Sequence, residues 1–110
     1  MLTSKQQEHA TLAAVKNNKS MMLSHWKYPL ITYFVNLCEA VDEKRLQAIV
    51  QYDWIIFGYL IAGWESELIN KRQRQKIHDL SQQIIWKGTT DRGDKLLMAI
   101  SRIIADPEAK

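Results

Sequence analysis

Apolar residues recur at helical spacing through most of the chain. Leu30, Phe34, Leu37 and Val41 fall at i, i+4, i+7 and i+11, which places them on one face of a helix. Pro29 fits the first turn of that helix, where a missing amide donor costs little. Similar spacing elsewhere, interrupted near 17–20, predicts five helices over roughly 5–17, 29–41, 42–63, 65–86 and 91–105.

Breaks between these segments are few because the chain has only four glycines and two prolines. Sheet proteins need many turns, and turns draw on those residues. We therefore expect an all-α protein, a compact bundle of about five helices in a single domain over 1–110, frayed at about 1–3 and 106–110. Asp42 and Asp91 are predicted helix caps, and Gly88 is a predicted C-terminal stop.

The longest apolar run extends over 11 residues, from Trp54 to Trp64. A membrane-spanning helix needs about 20 residues, so we expect no span here. Helical spacing predicts that Phe34, Trp54 and Phe57 point inward. The remaining apolar positions then lie on other faces, and a helix that is apolar all round must be central or contact a partner. The predicted dimer or partner interface is Trp54, Ile55, Ile56, Tyr59, Leu60 and Trp64.

Charge is uneven although the net charge is only +3. The densest cluster is Lys71, Arg72, Arg74 and Lys76, four cations within six residues. Such a cluster can bind phosphate backbones, and it can equally be a solvated helix face. The last helix is too apolar to read base edges, so nucleic-acid binding would be led by the backbone and weakly specific.

Candidate chemistry is sparse. His9, His25 and His78 form no metal-ligand pattern, and no nucleophile elbow or glycine-rich phosphate loop is present, so we expect no catalysis, metal or cofactor. The single Cys38 allows no internal disulfide, and no secretory signal precedes it, which favours a cytoplasmic protein.

Asp53 has two interpretations. It is either a buried carboxylate paired with an Arg or Tyr in a site, or a residue at the solvent edge of its helix, and the second is favoured because unpaired buried carboxylates are rare.

Three functional hypotheses follow. The first is a small interaction or regulatory protein that binds a macromolecule, as a homodimer or with a protein partner, through its aromatic surface. The second is nucleic-acid binding through residues 71–76. The third is a small-ligand pocket or enzyme around Asp53, His25 and neighbouring aromatic residues.

Overall fold

The computed structural model describes residues 3–88 and 94–106, apart from the side chains of 8–17 and 94. Within those ranges the chain forms helices and no strand, which confirms the all-α bundle. The helices are α1 (Ser4–Asp42), α2 (Leu46–Glu65), α3 (Lys71–Lys87) and α4 (Asp94–Ala105). The predictions for 1–2, for the cap at Asp91 and for the tail at 107–110 fall outside the described residues.

Helix α1 is continuous through the break predicted at 17–20 and through Pro29, so both predicted boundaries are wrong. It begins at a capping box between Thr3 and Gln6. A proline inside a helix costs about 3 kcal/mol. Side chains on both sides of Pro29 pack against the core, and this packing offsets the cost: Leu23 and Trp26 precede it, and Leu30 follows.

Tyr59 joins α2 to α1 close to that proline. Its hydroxyl donates a hydrogen bond of 2.6 Å to the carbonyl oxygen of Trp26. The two rings also stack, with centroids 5.1 Å apart. Burial raises the pKa of the Tyr59 hydroxyl above its usual value, and the neighbouring Tyr33 raises it further. The protonated hydroxyl is therefore favoured, as its role as a donor requires.

The turn before α2 and the turn before α3 each contain a residue with left-handed backbone dihedral angles. Lys44 has φ of 56° between α1 and α2, and Glu67 has φ of 62° between α2 and α3. Asp42 is the last residue of α1 and α2 is preceded by Arg45, so the cap predicted at Asp42 is wrong. The turn between the two helices separates Asp42 from the start of α2, so Asp42 lies too early in the chain to cap that helix.

Helix α3 has clear signals at both ends. Asn70 and Gln73 form a capping box at its start. At its end, Gly88 adopts a φ of 71° and its amide bonds to the carbonyl oxygen of Ile84. The predicted stop at Gly88 is confirmed, whereas the predicted start near Glu65 is several residues early.

The core lies between α1, α2 and α3, and α4 packs onto it through α1 and α3. Phe34 is fully buried, as predicted, whereas Trp54 and Phe57 are exposed and were wrongly expected inside. Twelve apolar side chains make up the buried cluster: Leu30, Phe34, Leu37, Cys38, Ile56, Leu60, Ile69, Ile77, Ile84, Leu96, Ile100 and Ile104.

Gly63 is required where α2 meets α1. A Cβ at this position would overlap the Trp26 ring, so the indole would have to move. We expect Gly63→Ala to lower the free energy of unfolding by about 1–3 kcal/mol, the usual cost of overpacking. Gly58→Ala is the matched control because a Cβ there meets nothing within 4 Å. It should raise stability by roughly 0.5–1 kcal/mol through helix propensity.

Chemical denaturation of both variants at one protein concentration makes the comparison. Equal stability changes for the two alanines would contradict the close approach of Gly63 and Trp26.

Candidate interaction surface on α2

A row of large apolar side chains lies on the solvent side of α2. Leu46 is 76% exposed, Val50 56%, Trp54 69% and Phe57 42%. Their spacing of i, i+4, i+8 and i+11 aligns them along about 16 Å of one helix face. We call these four residues the outer face. Single exposed apolar residues are ordinary, but a contiguous row is not.

The opposite side of α2 faces the core. Ile56 and Leu60 are fully buried there, and Gly63 packs on Trp26. Helix α2 therefore carries two apolar rows, and the bundle covers only one of them.

The predicted interface set is corrected accordingly. Ile56 and Leu60 cannot contact a partner because the chain's own core encloses them. Tyr59 is half-buried, and its hydroxyl is already bonded to Trp26. Trp54, Ile55 and Trp64 are exposed, so these three remain available.

The basic cluster is divided by the structure. Arg74 places its guanidinium 4.3 Å from the centre of the Trp64 ring, a cation–π contact on the flank of α2. Lys71 and Arg72 are exposed at the start of α3, whereas Lys76 is half-buried. The four cations therefore do not share one open surface, and nucleic-acid binding stays a prediction.

A dent of about 180 Å³ opens beside the outer face. Its walls are Asp53, Trp54, Phe57 and His78, and we call it the aromatic dent. Phe57 meets Trp54 edge to face at 6.4 Å between centroids, and meets His78 at 5.6 Å. An apolar cavity of ~150 Å³ can hold a benzene molecule, so the dent has room for one aromatic ring.

Asp53 is half-buried at the edge of the aromatic dent. Its carboxylate accepts a hydrogen bond of 2.9 Å from Gln82 on α3, whereas the buried interpretation predicts an Arg or Tyr partner. His25 is exposed on α1 and does not line the dent. The structure thus brings Asp53 together with Trp54 and Phe57 but not with His25, and the ligand-pocket hypothesis stays a prediction.

Trp86 lies outside the predicted interface set, yet it is the most exposed of the large apolar residues described, at 80%. The contacts of Asp53 with Gln82 and of Phe57 with His78 set α2 and α3 antiparallel. Trp86 lies one turn beyond Gln82, so this register places it level with the first turns of α2. It therefore extends the apolar surface next to Val50.

Charge is nearly absent from this surface. Asp53 is the only Asp, Glu, Lys or Arg from Leu46 to Trp64. Beside Leu46, Arg45 and Glu43 pair with each other at 2.7 Å. The outer face is thus apolar at its centre and close to neutral at its edge.

Two further features are absent from the described residues. No group of three His, Cys, Asp or Glu side chains there could hold a metal ion. No helix in the same part of the chain is both long and apolar enough to cross a membrane.

Comparison with protein-family models, curated proteins and solved structures finds no match to this chain. The fold and its surface define the molecule as an all-α bundle with an exposed apolar face on its second helix.

Proposed function

We propose that this protein acts by binding another protein chain through the outer face of α2, without a catalytic step. The observation that carries the proposal is the exposure of Leu46, Val50, Trp54 and Phe57 in one continuous row. Trp86 lies beside that row and is also exposed. We place this binding in the cytoplasm, since the chain's one cysteine allows no internal disulfide.

The size of the surface supports the proposal. Aromatic side chains bury roughly 150–250 Å² each. At their observed exposures, Trp54, Phe57 and Trp86 present on the order of 400 Å². The aliphatic neighbours bring the total to on the order of 700 Å², close to the ~800 Å² that each partner contributes to a standard interface. The largest patch on a typical monomer is roughly 300–600 Å².

The composition of the surface points the same way. Tyr, Trp and Arg dominate binding hot spots, and interface cores are depleted of charge. The outer face has tryptophan and phenylalanine in its C-terminal half, with Gln47 and Gln51 exposed on one side. A neutral apolar surface of this kind fits a protein partner better than a phosphate backbone, which requires cations.

Photo-crosslinking in the native cells tests the proposal. A crosslinking amino acid replaces Trp54 in one version of the chain and the exposed Tyr28 on α1 in another. We expect an adduct from position 54 that mass spectrometry maps to one protein sequence. Val50→Glu in the same chain should abolish this adduct, because it places a charge in the centre of the outer face.

The control at position 28 should not give that adduct, since Tyr28 lies on another helix. Absence of any adduct from position 54, or equal adducts from both positions, would overturn the proposed function.

A further inference from the structure

We infer that the protein occupying the outer face is a second copy of this chain, with Trp86 of each copy seated in the aromatic dent of the other. The inference rests on the proposed function and names its partner. A two-fold dimer uses the same surface on both copies, so that surface must carry both a projecting group and a cavity that fits it. This chain presents both on one side of α2 and α3.

Trp86 is the projecting group. It is 80% exposed, and it follows His78, one wall of the dent, by eight residues on α3. Eight residues of helix separate the two by about 12 Å along the axis. A two-fold axis midway between Trp86 and His78 places each Trp86 against the aromatic dent of the other copy. The two outer faces then pack against each other between these two contacts. The dent of about 180 Å³ has room for an aromatic ring.

Charge supports a copy as the occupant. Lys87 is exposed and directly follows Trp86, whereas Asp53 borders the dent. Seating Trp86 in the partner's dent brings the ammonium of Lys87 toward the partner's carboxylate at Asp53, and the symmetry makes this contact twice. Elsewhere on the surface, the pairing of Arg45 with Glu43 limits like-charge repulsion between copies.

Sedimentation equilibrium of the purified chain tests the inference. We expect the wild type to reach twice the mass of one chain. Trp86→Ala should raise the dimer dissociation constant at least about 30-fold, the size of a hot-spot loss. Tyr28→Ala removes another exposed aromatic residue, from α1, and should leave the constant unchanged. Circular dichroism of each variant checks that the fold is retained.

A charge exchange tests the arrangement within the dimer. Lys87→Glu and Asp53→Lys should each weaken association, and the double variant should recover part of it. The arrangement would be overturned if Trp86→Ala left the dimer unaffected. It would also be overturned if the association free energy lost in the double variant equalled the sum of the losses in the two single variants.

A wild type that stays monomeric at the highest soluble concentration would overturn the inference. The proposed function would still stand if position 54 crosslinked to a different protein in cells. It would fail separately if position 54 gave no adduct.

Discussion

Replacing Gln73 with alanine is expected to lower the free energy of unfolding by roughly 2–4 kcal/mol and to loosen α4 first. Gln73 is a buried polar residue at the start of α3, with its side chain 3% exposed. Its amide nitrogen donates to the carbonyl oxygens of Ile103 and Ile104, at 3.1 and 2.9 Å. Its side-chain oxygen accepts from the backbone amide of Asn70 at 2.7 Å.

The expected cost is high because one side chain satisfies two helix ends. The last carbonyls of a helix have no partner within it, and a buried group left unsatisfied costs about 1–3 kcal/mol. Alanine would remove the hydrogen-bond partners at the end of α4 and at the start of α3 at the same time.

A second variant separates the two ends. Gln73→Glu keeps an oxygen for the amide of Asn70 but cannot donate to the carbonyls of Ile103 and Ile104. Hydrogen exchange should therefore show faster exchange in α4, with the start of α3 less affected. Gln75→Ala is the control, since it removes only an exposed bond to Asp79 and should change stability by less than about 0.5 kcal/mol. Equal effects of the alanine variants at 73 and 75 would contradict this role.

The sequence predicted the helical fold because that fold depends on a local pattern. Leu30, Phe34 and Leu37 form a single apolar row on α1, and all three are buried. The stop at Gly88 was also predictable, since a positive φ at a helix end favours glycine. The capping box from Asn70 to Gln73, which begins α3, is equally visible in the sequence.

The continuity of α1 could not be predicted in this way. Pro29 ordinarily begins a helix, and only the packing of Trp26 against Tyr59 and Gly63 shows that the helix continues through it. That packing joins residues more than thirty positions apart, which no local pattern records.

The surface of α2 was only half predictable for a related reason. Two apolar rows compete on this helix, one through Leu46, Val50 and Trp54, the other through Ile56 and Leu60. The periodicity shows two apolar rows on α2, whereas packing against a single core requires only one. The choice between them is made by α1 and α3, which pack against the second row and leave the first in solvent.

Two adjacent isoleucines give the most direct test of that choice. Ile56 is fully buried, whereas Ile55 is 42% exposed. We expect Ile56→Ala to lower the free energy of unfolding by about 2–5 kcal/mol, since it removes transfer free energy and leaves a cavity. Ile55→Ala should change it by less than about 0.5 kcal/mol. Denaturation at one fixed protein concentration measures both, because association contributes to apparent stability.

Association should depend on the outer face instead. Val50 lies in that row and is 56% exposed, so Val50→Ala removes apolar area from the proposed contact with a second copy and should weaken it. At concentrations and temperatures where Ile56→Ala remains folded, its outer face is intact, and its dimer dissociation constant should match the wild type. A dimer that is weakened by Ile56→Ala while its circular dichroism stays native would mean that the buried row, and not the outer face, governs association.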